Sequence, residues 1–497
     1  MPLRFSLFRA RRHRFVAVQR VTGILLMLFS LTMVSPVIVG LMFGEFTYAP
    51  FVTGFWITLL TGTLIWWPAR NRVADLKIRD GFLVTVLFWG VLGSFGAIPL
   101  YLSDTGAWNS FTDALFDAVS GLTTTGATTV SSGLDDLPKA INFYRVQLHW
   151  LGGMGIIVLA VAILPMLGVG GMQLYRAEMP GPMKNSKLTP RITETARVLW
   201  LVYFSLTVVC GLTYWAMGMS AFDALCHAFS TIATGGFSTH DQSIGFFNSP
   251  ALEWVVMGFM MLGTTNFATH FLAWRNRSPY AYWRDSELRV CIALVVAYTS
   301  LISLPLIFDN TLGDPLTAVR TAAFHVIAYG TNTGFSTTDP SHWPVYAPVM
   351  LILCAFMVGC SGSTSGGVKV VRLMLFVKQA MREIQRLIHP NAELPIKLGG
   401  KVVDDQVVYA VGGFFSVYIG ATIILTFVMM ATGLEPVIAL SAVASAINNL
   451  GPGLGPLNGS MAPVSDFGKW VLIFTMLLGR LEIFTLLIVF TPAFWRR

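Results

Sequence analysis

"IAYGTNTGFSTTD", Ile327 to Asp339, lies between two strongly apolar stretches. Its glycines, small hydroxyl residues and single acid do not suit a lipid-facing helix, because hydrocarbon offers exposed polar groups no partner. A segment of this kind occurs four times. The others lie within "FTDALFDAVSGLTTTGATT" (111–129), "FDALCHAFSTIATGGFSTHD" (222–241) and "VIALSAVASAINNLGPGLGP" (437–456). Each begins as a short apolar helix, too short to span, and ends in a small, polar, glycine-containing turn. Aligning the turns puts Gly126, Gly236, Gly334 and Gly451 in register. Asp113 and Asp223 both stand 13 residues before their glycine, and "GFST" recurs after the second and third turns. The helix that follows repeats as well. It carries "LGGMG", "LGTTN", "VGCSG" and "LGRLE", with Gly152, Gly263, Gly359 and Gly479 lying 25–28 residues beyond the turn glycines. A unit repeated at this spacing takes precedence over local motifs in deciding the architecture.

The rest of the chain agrees with a membrane setting. Of its 497 residues 54% are hydrophobic and 12% charged, and the mean hydropathy is +0.66. Soluble domains carry about twice that charge fraction. Many apolar runs approach the ~20 residues that cross a hydrocarbon core of ~30 Å. Full spans are expected near 20–44, 51–68, 82–103, 144–169, 196–220, 250–274, 287–308, 346–376, 404–433 and 467–492. Ten crossings put both termini on one side. Alternate connections and the two termini hold 28 of the 33 Lys and Arg; the others are Lys139, Arg145, Arg320, Lys469 and Arg480. Basic loops mark the cytoplasmic side. Acids such as Asp104, Asp135, Asp241, Asp309 and Asp339 fall opposite. They either concentrate cations there or simply occupy loops that lack basic residues. The first apolar run is too long for a signal-peptide core. The five cysteines form no metal-like spacing and read as reduced packing residues.

Each unit contains two crossings, so all four point the same way. The expected fold is an all-α polytopic membrane protein with four parallel helix–pore-helix–helix repeats. These have pseudo-fourfold symmetry around one pore, and two N-terminal helices lie on the periphery. The segments are 1–80 for the peripheral helices, then 81–190, 191–285, 286–400 and 401–497 for repeats 1 to 4.

Irregular backbone at membrane depth must be buried in protein or line a watery cavity. Four such turns about one axis can offer stacked rings of carbonyl oxygens that replace a cation's hydration shell. Glycine permits this without a Cβ clash. The short helices end at the turns, so their partly negative ends favour a cation. No acid lies within the turns, which points to a monovalent cargo. A single glycine turn is equally a loop that breaks a helix; four in register argue against that reading.

At these residues the sequence resembles the Trk/Ktr/HKT superfamily of potassium transporters. "TTTGATT", "TIATGGFSTHD", "NTGFSTTD" and "NNLGPG" look like its four filter loops. The likeness covers nearly the whole chain, and the length resembles the bacterial Trk-type subunit. It implies potassium uptake through one pore per subunit, a homodimer, and a bacterial inner-membrane location with both termini cytoplasmic. It also implies a cytoplasmic regulatory subunit with nucleotide-binding RCK-type domains. Glycine at all four filter positions goes with potassium in this family, and serine in the first goes with sodium. The ion contacts it implies are carbonyls near Thr124, Thr125, Gly126, Thr234, Gly235, Gly236, Asn332, Thr333, Gly334, Asn449, Leu450 and Gly451. The bound ion is potassium in transit, with no organic cofactor.

Two features interrupt the second helices. "VGCSGSTSGGVK", 358–369, holds Gly362, Ser363, Thr364, Ser365, Gly366 and Gly367 in succession. Such a run either unwinds into a loop that blocks the pore or forms a glycine-rich helix interface. Arg480 lies mid-span in the fourth repeat, where insertion costs at least about 2.5–3.5 kcal/mol. Glu482, two residues on, faces another side of the helix. In the family the matching arginine sits under the filter beside the intramembrane loop. There it either raises the barrier to cations or bonds loop carbonyls, and the two roles are compatible.

An enzyme is not expected, since no Walker A loop, dinucleotide fingerprint or HExxH occurs. Nothing points to nucleic acid. His227 and His325, each nine residues before a turn glycine, read as polar packing rather than metal ligands. A proton-coupled secondary cation transporter is the alternative, but such folds often use inverted repeats, whereas these are parallel. The basic amphipathic segment 369–390 suits a soluble regulator or anionic lipid equally.

Overall fold

The computed structural model describes residues 15–71, 78–158, 192–309 and 312–496. Helix α1 (Val16–Met42) contains a 3-10 turn at Leu31–Met33. It packs on α2 (Ala49–Trp66) through glycines: a Cβ at Gly23 would come within 2.8 Å of Gly62 O, and one at Gly62 within 3.0 Å of Gly23 O. Small residues let the backbones approach this closely without hydrophobic drive from water. Helix α3 (Ile78–Tyr101) follows and opens the first repeat.

The four short helices are α4 (Phe111–Leu122), α7 (Ala221–Ile232), α12 (Pro315–Gly330) and α16 (Pro436–Asn448). Their starts are written in cap chemistry. Ser110 and Ser220 accept from the amides of Asp113 and Asp223, and each serine hydroxyl donates back to that aspartate, at 3.0 Å and 2.7 Å. This reciprocal cap explains the recurring aspartate. Asp314 caps α12, and Pro436 opens α16 at a position where no amide is needed.

The long first helices of the later repeats are α6 (Ile192–Ala216), α11 (Ser286–Phe308), which the short α10 (Tyr280–Arg284) precedes, and α15 (Asp405–Met430). Among the described residues six helices are long and apolar enough to cross a membrane, or eight if two bent pairs each count as one. The second helices depart from the expected straight spans. Helix α5 (Lys139–Val158) covers part of the expected 144–169 span, and the remainder lies outside the described residues. The 250–274 span is α8 (Pro250–Thr264) and α9 (Phe267–Arg275), bent by 97°. Asn266 caps α9, and the amide of Phe267 donates to Gly362 O at 3.1 Å instead of continuing α8. The 346–376 span is no single helix: α13 (Tyr346–Ala355) and α14 (Val370–Ile388) are separated by irregular chain. The 467–492 span is α17 (Asp466–Arg480) and α18 (Phe484–Phe490), bent by 116°. Glu482 and Ile483 have φ of 52° and 56°, left-handed values that end a right-handed helix. Hydropathy registers each of these stretches as apolar but does not see where its backbone bonds go.

Two large apolar clusters form the core. One joins α1–α5 with α15–α17, and the other joins α6–α8 with α11–α13. The first and fourth repeats therefore share one half, and the second and third the other. All five cysteines are buried and free.

Candidate functional site

The four turns share one backbone design. Thr124, Thr234, Asn332 and Asn449 have φ of 52°, 52°, 57° and 54°; Gly126, Gly236, Gly334 and Gly451 have φ of 80°, 87°, 74° and 107°. Two left-handed positions flank one residue of ordinary hand in every repeat. Such alternation abandons helix bonding and frees the carbonyls at the helix end.

Spacing in sequence left the arrangement of the turns open; the tertiary contacts form a closed cycle. A Cβ on Gly126 would overlap Gly235 O, one on Gly236 would overlap Thr333 O, and one on Gly334 would overlap Leu450 O. A Cβ on Gly451 would lie 2.8 Å from Thr125 O. Each glycine thus faces the carbonyl preceding the next turn's glycine, in the order one, two, three, four, one. All four glycines also line one cavity of about 100 Å³, together with Thr128, Ser238, His240, Asp241 and Asn458. The twelve expected contact residues Thr124, Thr125, Gly126, Thr234, Gly235, Gly236, Asn332, Thr333, Gly334, Asn449, Leu450 and Gly451 are therefore brought together.

Side chains lock the turns from behind. Thr123 and Thr125 share a hydroxyl bond of 2.8 Å, and Thr331 and Thr333 share another of 2.8 Å at the same positions of the third repeat. Asn449 Nδ2 donates to Thr125 Oγ1 and to Met476 O, each at 3.0 Å. The double glycine of the second turn has its own cause: a Cβ on Gly235 would overlap the His149 imidazole. The repeated helix glycines serve the same closeness. Gly152 and Gly479 press on Leu122 O and Ile447 O, the carbonyls four residues before their turn glycines.

Residues 356–369 cross beneath the ring and touch three of the four turns on their helix side, and Arg480 links the loop to the remaining one. Thr364 Oγ1 meets Thr234 Oγ1 at 3.3 Å and donates to Ile232 O at 3.0 Å, on the second turn. Ser365 Oγ donates to Asn332 Oδ1 at 3.0 Å, on the third. Gly366 abuts Asn448 O on the fourth so closely that a Cβ would overlap it. Arg480 reaches the first: Nε donates to Thr123 O at 2.7 Å, while Nη1 donates to Thr364 O at 3.1 Å. Its Nη2 also bonds Thr123 O and Thr124 Oγ1. Ser363 bonds Cys360 O at 2.6 Å within the loop, Gly362 is exposed, and Gly367 backs onto Ala355 O. Glu482 does not pair with Arg480; it binds Arg372 at 2.7 Å.

Sequence reasoning missed Glu287. Its Oε1 accepts from Ser361 N at 2.7 Å and from Val371 N at 3.1 Å, so one buried carboxylate ties both ends of the loop. An acid in a helix's first turn is ordinary N-terminal chemistry, which hid this second role. The outer rim holds a further group. His240 Nδ1 is 2.5 Å from Asp135, and its Nε2 is 3.4 Å from Asp223. Partial burial opposes the imidazolium, but the two carboxylates outweigh it and raise its pKa. Asp223 and Asp135 are held below the usual carboxylate range: burial works against this, and bonding to His240 overcomes it. Among the described residues no cluster of His, Cys, Asp and Glu is arranged to hold a metal.

A family model described as "TrkH: Cation transport protein" matches residues 48–497. The Trk system potassium uptake protein TrkH of Salmonella typhimurium is 49% identical over 482 residues, covering 97% of this chain and 99% of that protein. The Trk system potassium uptake protein TrkG of Escherichia coli is 38% identical over 479 residues, covering 96% of this chain and 98% of that protein. The crystal structure of the potassium transporter TrkH from Vibrio parahaemolyticus superposes with a TM-score of 0.89 at 46% identity, covering 97% of this chain and all of that one.

Proposed function

This chain belongs to the TrkH family of cation transport proteins, and from that premise we propose that it takes up potassium through a gated pore filtered by its four glycine turns. It is a transport protein and not an enzyme. The observation that carries the filter is the cycle of glycine-to-carbonyl contacts, with all four glycines on one cavity. Carbonyl oxygens held about one centre replace the water around a cation. Threonine, asparagine, leucine and glycine supply the turns, without a carboxylate, and that suits one positive charge. In this reading the four repeats, 81–190, 191–285, 286–400 and 401–497, stand in pseudo-fourfold order around the pore.

The loop 361–367 and Arg480 form the gate. The loop contacts the second, third and fourth turns from beneath, Arg480 joins it to the first, and the guanidinium lies where a leaving cation must pass. A fixed positive charge in a low-dielectric passage repels it. Opening requires both to withdraw.

The distribution of basic residues supports cytoplasmic termini, in a bacterial inner membrane. A homodimer and a cytoplasmic RCK-type nucleotide-binding subunit complete the transport unit, and α14 lies on the face that subunit or anionic lipid would meet. Current through the purified protein in bilayers tests the pore. A reversal potential that follows the potassium gradient, and ignores a proton gradient, is expected. One that follows protons would establish the proton-coupled carrier instead.

A further inference from the structure

Each short helix also grips the chain that leaves its own turn. Asp117, His227 and His325 all stand nine residues before the turn glycine. The Asp117 carboxylate accepts from Thr128 Oγ1 at 2.8 Å, Thr129 N at 2.7 Å and Thr129 Oγ1 at 3.2 Å. Arg145 braces this pair, 3.5 Å from Asp117 and donating to Thr128 Oγ1 at 3.0 Å. His227 donates Nδ1–H to Asp223 O at 2.8 Å, which leaves Nε2 to accept from the Ser238 hydroxyl at 2.9 Å. His325 sets Nδ1 2.9 Å from Thr321 O and Nε2 3.0 Å from Thr338 O. Both are acceptors, so a neutral ring serves one and an imidazolium serves both. In the fourth repeat the position is Ala442, and its neighbour Ser441 accepts from Leu454 N at 3.0 Å. All four gripping side chains are buried, and the gripped atoms lie two to four residues beyond the glycine. Three residue types make one connection at nearly one register, so the connection itself is the recurring feature.

The chain between grip and helix end contains both left-handed residues of the turn. One of them carries a side chain in every repeat, so the turn is strained and will relax if released. Potassium and sodium differ in radius by a few tenths of an ångström, so a carbonyl ring separates them only while its spacing is held. Resting on the filter reading above, we propose that Asp117, His227, His325 and Ser441 are positioning residues that set the pore's ionic selectivity. They do so by clasping each turn's outgoing segment to its own helix.

The test uses the full chain in cells lacking other potassium uptake, with initial uptake measured against competing sodium and membrane abundance measured in parallel. Ser238→Ala and His227→Leu each remove one side of the second clasp. Each is expected to lower the potassium-over-sodium preference by about threefold to tenfold. The double substitution is expected to do no worse than either single one, because both break the same bond. His227→Gln, which offers Ser238 an amide oxygen, is expected to restore the preference. Ser441→Ala gives the same readout in the fourth repeat if the histidine variants fail to reach the membrane. Slower uptake with normal preference in Ser238→Ala and Ser441→Ala assigns a merely structural role and overturns the proposal. Gly126→Ser separates the two readings. If it alone changes preference, the clasp fails and the filter stands; if none of the substitutions does, the filter reading itself fails.

Discussion

At the scale of single residues, glycine sits where another turn's oxygen takes the place of a side chain. Gly126→Ser puts a Cβ into Gly235 O at a φ of 80°, so the first and second turns must separate. Reduced potassium-over-sodium preference, by about tenfold, is expected in ion-competition uptake; unchanged preference would remove this turn from the filter. His240 makes a second prediction, in the stability of the outer rim. Its raised pKa means the charged form is favoured on folding, so its contribution is full below the unfolded value of about 6.5 and fades as pH rises through the folded one. Asp223 and Asp135, held low, contribute above their unfolded value of about 3.9 and lose it as pH falls through the folded one. The stability difference between wild type and His240→Gln should therefore peak between about pH 4 and 6.5 and shrink in alkali. Melting temperatures in detergent across that range check it, and a difference that grows with alkalinity contradicts it. The turn glycines were legible because four copies align. His149, Asn266 and Glu287 were not, since a lone polar residue carries no record of which distant backbone it will face.

At the scale of elements, the proposed gate is a stretch of chain with its bonds redistributed. The loop between α13 and α14 has given up helix bonds for contacts with the second, third and fourth turns, with Arg480 and with Glu287. Arg480→Ala, or shortening of 361–367, is expected to raise potassium flux severalfold without an activating partner. Tracer flux into liposomes measures it, and unchanged flux in both variants removes the gating role. Glu287→Gln leaves one oxygen to hold two amides with a weaker, uncharged acceptor. Raised basal flux is expected here also, because both loop ends loosen together. Density of glycine and serine marked where this helix would break. The 97° and 116° bends of the neighbouring second helices carried no such mark, because Phe267 N and Glu482 bond partners far along the chain, Gly362 O and Arg372.

At the scale of the whole molecule, the two apolar clusters pair repeat one with four and two with three, as a closed order of four requires. With 28 of 33 basic residues on alternate connections and the two termini, both termini are expected in the cytoplasm. Reporters fused at either end, one active only in the cytoplasm and one only outside, will test this; an outward signal from one end breaks the even count of crossings. The membrane class, the fourfold repetition and the polar turns follow from the sequence alone, since hydropathy and periodicity are local quantities that a linear reading sums. Tertiary structure alone decided which carbonyl each glycine faces, what Arg480 bonds, and how the second helices fold back. Those depend on atoms roughly a hundred residues or more apart in sequence meeting in close contact, and only the packed chain sets such distances.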